Sequence, residues 1–162
     1  GVILNGVSKA YSMTGWRIGY AAGPEQLIQK MKTIQSQSTS NPSSISQYAA
    51  LAAIEGDQSF IEDAVKTLKK RHDFVYKALL EIEDIKCLPC QGTFYILPNV
   101  QKIMDRLGKR TDVELSELLI EEARVAVVPG SAFGVPGYVR VSFATNMENI
   151  EKAMNRLQKV LS

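Results

Sequence analysis

Between Ser59 and Ile82 the apolar residues Ile61, Ala64, Val65, Leu68, Val75, Ala78, Leu79 and Ile82 recur at steps of three and four. That spacing predicts a single amphipathic helix of about six turns. Ser59 and Glu62 have capping-box spacing at its start. A helix this long with one apolar stripe must lie against a core, and the chain differs on its two sides.

Ahead of it, Val2 to Leu4 is a short apolar run that reads as the end of a buried strand. Asn5 to Gly15 is polar and turn-rich, and Trp16 to Ala22 reads as a second strand closed by Gly23-Pro24. Pro24 suits a first helical turn, and Leu27, Ile28, Met31 and Ile34 follow at helical spacing. Gln35 to Ser46, rich in Ser, Thr, Gln and Asn and containing Pro42, reads as a loop. It opens a helix bearing Ile45, Tyr48, Ala49, Ala52 and Ala53, which Gly56 ends.

Beyond the long helix the pattern changes. Ile85 to Leu88 and Thr93 to Leu97 read as strands parted by Gln91-Gly92. Thr111 and Glu114 form another capping box before Leu115, Leu118 and Leu119. Val125 to Val128 and Tyr138 to Phe143 read as strands around the glycine-rich stretch Pro129 to Gly134. The final helix carries Ile150, Ala153, Met154, Leu157 and Leu161 on one face. The expectation is an α/β chain in two parts: 1–58 as the tail of a larger α/β domain, and 59–162 as an α+β unit with its own core.

With 162 residues, 45% apolar and 22% charged, the chain has globular composition. A net charge of +2 argues against a nucleic-acid surface or an anchor on anionic membranes. No apolar run approaches the roughly 18 residues of a membrane span. Two cysteines cannot build a disulfide framework. The chain starts Gly1-Val2-Ile3, inside an apolar run and without methionine, so it is expected to be a piece of a longer protein.

The chemistry concentrates in Ser8-Lys9-Ala10-Tyr11-Ser12-Met13-Thr14-Gly15-Trp16-Arg17-Ile18-Gly19-Tyr20. Lys9 falls in a loop after a strand, and ligands of α/β sheets bind at the carboxyl ends of strands. A partly desolvated lysine there loses preference for its ammonium form, and its free amine can attack an aldehyde. Arg17 offers a planar fork for a phosphate dianion, and Ser8, Ser12 and Thr14 add hydroxyls. An aldehyde-accepting lysine beside a phosphate-binding arginine matches the needs of pyridoxal 5'-phosphate.

This stretch resembles the cofactor-lysine segment of the class I pyridoxal-phosphate aminotransferases of fold type I, most closely those of bacterial aspartate aminotransferase type. The resemblance continues through Gln35 to Pro42, Gly92-Thr93-Phe94-Tyr95, Pro129 to Gly134 and Tyr138 to Ala144, in order along nearly the whole chain. It implies that 1–58 is a remnant of the cofactor-binding large domain and 59–162 the small domain. Lys9 would then carry the cofactor and move a proton between substrate Cα and cofactor C4′. Arg17 would hold the cofactor phosphate, with Ser8 a weaker cofactor ligand. Arg140 would bind the substrate α-carboxylate. Many relatives carry a serine where this chain has Gly6, so no side-chain ligand is assigned there. The resemblance also implies amino-acid and 2-oxo-acid substrates, with aspartate and 2-oxoglutarate favoured, a homodimer, and a cytoplasmic setting. The family's ring-nitrogen aspartate, stacking aromatic and asparagine precede the lysine beyond the start of this chain, so the chain alone is expected to be inactive.

Two rivals share the resemblance: a lyase or synthase on the same fold, and an aminotransferase-like ligand-sensing domain of a regulator. A third reading is a structural and dimerisation domain without activity. Cys87-Leu88-Pro89-Cys90 has C-x-x-C form, but no second pair exists and His72 is the only histidine, so ordinary packing is expected and no metal site. His72 reads as a boundary residue of the long helix, and Lys69-Lys70-Arg71 as its solvated face.

Overall fold

The computed structural model describes all of residues 1–162, which divide into two units, Gly1–Ala64 and Val65–Ser162. Unit 1 starts with β1 (Ile3–Gly6) and β2 (Gly19–Ala22), paired antiparallel with Ile3 opposite Ala22 and Gly6 opposite Gly19. Helices α1 (Glu25–Ser38) and α2 (Ser44–Glu55) follow, and α3 (Ser59–Leu80) runs from the first unit into the second.

Several expectations need correction here. The Val2 to Leu4 run is not buried: Ile3 is 69% and Leu4 73% exposed. A two-stranded ribbon has no second layer to cover its faces. Burial falls instead on Val7 and Ile18, just past the paired ends, together with Ala50 of α2. The second strand starts at Gly19, because Thr14–Trp16 forms a 3-10 turn. Helix α1 runs on to Ser38, four residues into the expected loop. Glutamine is a good helix former, so Gln35 and Gln37 extend the helix despite their polarity. The start of α3 is held by Asp57 and not by a Ser59–Glu62 box. Its carboxylate accepts the Ser59 N–H at 3.0 Å and the Ser59 hydroxyl. These bonds hold the Asp57 carboxyl below the usual carboxylate range.

Unit 2 is built on β3 (Tyr95–Ile96), β4 (Val128–Pro129) and β5 (Val139–Ser142), an antiparallel sheet in the order β3-β5-β4. These strands are shorter than the apolar runs suggest. The Ile85 to Leu88 run contributes only a bridge from Lys86 to Asn99. The helices are α4 (Gln101–Arg106), α5 (Asp112–Leu118), continued by a π-type turn Leu119–Ala123, and α6 (Met147–Leu161). The second capping box forms in part, its return bond reaching Arg110, one residue before the Thr111 cap. Thr111 Oγ1 accepts the Glu114 N–H at 3.2 Å, and the Glu114 carboxylate accepts the Arg110 N–H at 2.8 Å. At the start of α6, Asn146 accepts the Asn149 N–H at 2.8 Å. Arg106 donates to the Leu161 carbonyl at the helix's other end.

The core of unit 2 joins Val75, Leu79 and Ile82 to Ile103, Leu115 and Leu119, to Val139, Val141 and Phe143, and to Ile150, Met154, Leu157 and Leu161. His72 belongs to it at 8% exposed, deeper than a boundary position. Its Nε2 accepts the Cys90 N–H at 3.1 Å, which leaves Nδ1 to donate to Asp73 at 2.9 Å. His72 therefore ties α3 to the 87–92 segment as a structural residue. Cys87 and Cys90 are free thiols, and burial pushes the Cys87 thiol up to about 11, with nearby Cys90 adding to the shift.

Two predictions follow from this packing. Phe143→Ala should lower the unfolding free energy by about 3–5 kcal/mol, whereas Ile34→Ala, on an exposed face of α1, should change it by under about 0.5 kcal/mol, as read by denaturant titration. Iodoacetamide at pH 8 should modify Cys87 roughly 100-fold more slowly than an unperturbed thiol, accelerating until the pH nears 11. An ordinary rate at pH 8 would contradict the burial argument.

Candidate functional site

Lys9, Ser8 and Arg17 all lie in the segment that leaves β1 and returns to β2. The ladder reaches one step past the strands, where the Val7 N–H donates to the Ile18 carbonyl at 3.4 Å. The chain therefore departs and re-enters at one end of the ribbon, with Lys9 two residues after Val7 and Arg17 one before Ile18. The ribbon is tight at this end. A Cβ on Gly6 would sit 2.9 Å from the Ile18 carbonyl oxygen, so the glycine here has a packing reason.

The segment is anchored from beneath. Tyr11 and Met13 pack on buried Val7, Ile18 and Ala50. The Tyr11 hydroxyl donates to Gln58 Oε1 at 3.0 Å, and its ring lies 6.0 Å from that of Phe60. Gln58 is fixed in turn, because its Nε2 donates to the Gly56 carbonyl at 2.7 Å and to the Ala53 carbonyl at 3.0 Å. Above this anchor, Ser8 is half-buried and Lys9 and Arg17 are exposed. Arg17 follows the Thr14–Trp16 turn in the left-handed region, φ 54°, a conformation costing a non-glycine residue about 1–2 kcal/mol. Its Nη1 donates to the Thr14 carbonyl at 2.9 Å, which folds the side chain back over its own turn. The remaining guanidinium N–H groups are left for an anion. A primary amine, a guanidinium and a hydroxyl at one end of one ribbon are the donors an aromatic aldehyde phosphate needs, so the residues present fit pyridoxal phosphate.

Arg140 belongs to unit 2. It sits on the central strand β5, opposite Val128 of β4. Its Cζ lies 5.0 Å from the Tyr95 ring centroid and 4.6 Å from that of Phe133. It takes part in none of the ion pairs of the chain. Cation–π contact sets the guanidinium against two rings without pairing its charge to a carboxylate, which leaves it a fork for an incoming one.

Two devices hold those rings. Tyr95 follows Thr93, a β-branched residue at φ 70°, whose hydroxyl donates to the Tyr95 carbonyl at 3.1 Å. Phe133 ends a 3-10 turn, Gly130–Phe133, closed by Gly134 at φ 75°. Gly130 has no room for a side chain: a Cβ would lie 2.3 Å from the Val135 carbonyl oxygen. The expected glycine-rich turn is therefore a tightly folded support for β5. Sequence reasoning gave Tyr95 and Phe133 no role, although both lie inside the family-like stretches. It also missed Asp112, a 2%-exposed carboxylate reaching this turn, because Thr111 and Glu114 explained the same stretch as a cap.

A family model described as "Aminotransferase class I and II" matches residues 1–157. The aspartate/prephenate aminotransferase of Nitrosomonas europaea is 48% identical over 99% of this chain and 42% of its own length. The aspartate aminotransferase of Geobacillus stearothermophilus is 47% identical over 99% of this chain and 41% of its own length. In structure, the aspartate aminotransferase of Rhizobium meliloti superposes with a TM-score of 0.92 at 42% identity, over 99% of this chain and 41% of that one. This chain thus spans about two fifths of the length of the relatives it matches. Its mixed α and β elements are part of the fold type I architecture of those enzymes, and the chain belongs to the class I and II aminotransferases.

Proposed function

We propose that these residues are the cofactor-lysine and small-domain part of a pyridoxal-phosphate-dependent aminotransferase. It moves the amino group of an amino acid, aspartate by preference, to a 2-oxo acid, 2-oxoglutarate by preference. The observation that carries this reading is the placement of Lys9 and Arg17 at one end of the β1–β2 ribbon, in a chain 47–48% identical to two enzymes of that name. Residues 1–58 act as the remnant of the large domain and 59–162 as the small domain.

When bound, pyridoxal phosphate supplies an aldehyde that accepts the amino group and a ring that withdraws electrons from substrate Cα. Lys9 Nζ would hold the cofactor at that aldehyde carbon, and the same nitrogen would move a proton between substrate Cα and cofactor C4′. Arg17 takes the phosphate on the N–H groups it does not spend on Thr14, and Ser8 adds a weaker hydroxyl contact. Arg140 takes the substrate α-carboxylate on the guanidinium that Tyr95 and Phe133 contact without neutralising.

The parent enzyme is proposed to be a homodimer. Apolar side chains left uncovered in unit 1, such as Ile3, Leu4, Ile45 and Tyr48, support further polypeptide lying against it. No helix is long and apolar enough to cross a membrane. A cytoplasmic setting suits the two free thiols.

In the full-length protein carrying these residues, borohydride treatment should fix pyridoxal phosphate to Lys9, located by peptide mapping. Lys9→Ala should lose both that adduct and transamination. An adduct on another lysine would overturn the reading. Arg17→Ala should weaken cofactor binding by about 10- to 100-fold, measured by equilibrium dialysis. Residues 1–162 alone should transaminate far below the full-length rate.

A further inference from the structure

Asp112 is a buried carboxylate that the proposed chemistry does not use. It occupies the first position of α5 at 2% exposure. Both of its oxygens are committed to one residue: Oδ2 accepts the Ser131 N–H at 2.8 Å and Oδ1 accepts the Ser131 hydroxyl at 2.7 Å. Helix α5 is itself braced at this point by Ser116, whose hydroxyl donates to the Asp112 carbonyl at 2.7 Å. A capping role does not require this burial, since Thr111 already accepts the free Glu114 N–H.

Ser131 is the second residue of the Gly130–Phe133 turn. That turn is pinned at one end, where the Gly130 N–H donates to the Tyr138 carbonyl at 2.8 Å. Its far end carries Phe133, the ring 4.6 Å from the Arg140 guanidinium. The side chain of Ser131 is exposed apart from this bond, so the pair is not explained by filling a core. A bidentate clamp on an otherwise surface turn fixes what the turn presents.

We propose that Asp112 is a positioning residue for carboxylate binding: by clamping Ser131 it holds the Phe133 ring against Arg140 and so fixes the direction of the guanidinium fork. This rests on Arg140 being the residue that takes the substrate carboxylate. Asp112 touches neither substrate nor cofactor in this scheme, and its effect passes entirely through the turn.

The test titrates the cofactor-loaded full-length protein with succinate, a plain dicarboxylate, by calorimetry, and measures KM and kcat for the amino-acid substrate beside it. Asp112→Asn keeps an acceptor for the Ser131 N–H but turns the hydroxyl contact round, the amide N–H₂ now donating to Ser131 Oγ, so two charge-assisted bonds become neutral ones. It should weaken succinate about 10-fold and raise KM about as much, with kcat within about twofold. Ser131→Ala, at an exposed position that leaves the core intact, should weaken succinate about threefold or more. Arg140→Ala should weaken it at least about 100-fold, and adding Asp112→Asn to that variant should change nothing further. If Arg140→Ala binds succinate normally, the Arg140 reading fails and the inference with it. If Arg140→Ala weakens binding but Asp112→Asn and Ser131→Ala do not, the inference alone is overturned. Equal losses from Asp112→Asn with and without Arg140 overturn it as well. Should Asp112→Asn fail to fold, Ser131→Ala decides.

Discussion

A half-buried guanidinium in no ion pair is a cation that the surrounding protein must keep in place without neutralising. Arg140 meets this condition through its strand and its neighbours. Its strand β5 is the central one of β3-β5-β4, with Arg140 itself opposite Val128, so its Cα is held by the sheet. Its head is walled by Tyr95 and Phe133, contacts worth about 0.5–2 kcal/mol each as desolvation increases. An internal carboxylate would hold the head more strongly but would occupy the fork. Two aromatic rings restrict the guanidinium without neutralising it, which suits a site whose anion comes and goes.

Lys9 and Arg17 are supported differently. The buried cluster under them is only Val7, Ile18 and Ala50 with Tyr11 and Met13 against it. Precision there comes from polar tethers: Arg17 to the Thr14 carbonyl, and Tyr11 to a glutamine that is itself bonded to the end of α2. Such tethers hold a short segment in place while both cationic side chains stay exposed. The uncovered apolar residues of β1, α1 and α2 belong to the same picture. This unit holds the candidate cofactor residues on a framework with uncovered apolar side chains, and the relatives it matches are more than twice as long as residues 1–162.

The sequence reveals elements whose signals are local and repeated. Helix α6 is legible because four residues on one face all reach the core, and the Thr111–Glu114 cap because its partners lie three residues apart. The same spacing misleads at Ser59, where Asp57, two residues upstream, captures the Ser59 N–H first. The end of α1 is hidden because Gln and Ser read as loop by polarity while their propensity permits helix. Strand β1 reads as buried because burial depends on what covers a strand, which its own residues do not encode. For the site, Lys9, Arg17 and Arg140 stand out by type and context. Asp112 does not, because its partner lies 19 residues away and only the folded chain brings them together. Nor do the rings around Arg140, since a Tyr and a Phe in apolar stretches look like core.

Backbone strain separates these cases further. Ser40 and Arg124 adopt positive φ just beyond α1 and the π-type turn, where chains commonly leave a helix this way, and Asp84 does so in the turn that follows α3. Arg17 does the same after its 3-10 turn. Thr93 follows no helix, and a β-branched residue at φ 70° is the costliest of the set, at about 1–3 kcal/mol. Its hydroxyl offsets part of that cost through bonds to the Tyr95 carbonyl at 3.1 Å and from the Tyr95 N–H at 3.4 Å. Glycine would adopt this backbone without the strain but would lose both bonds. The segment therefore carries strain where it sets one ring that contacts Arg140, as Gly130 and Asp112 set the other. The guanidinium is flanked by two rings, and each ring is held by a local constraint independent of the other.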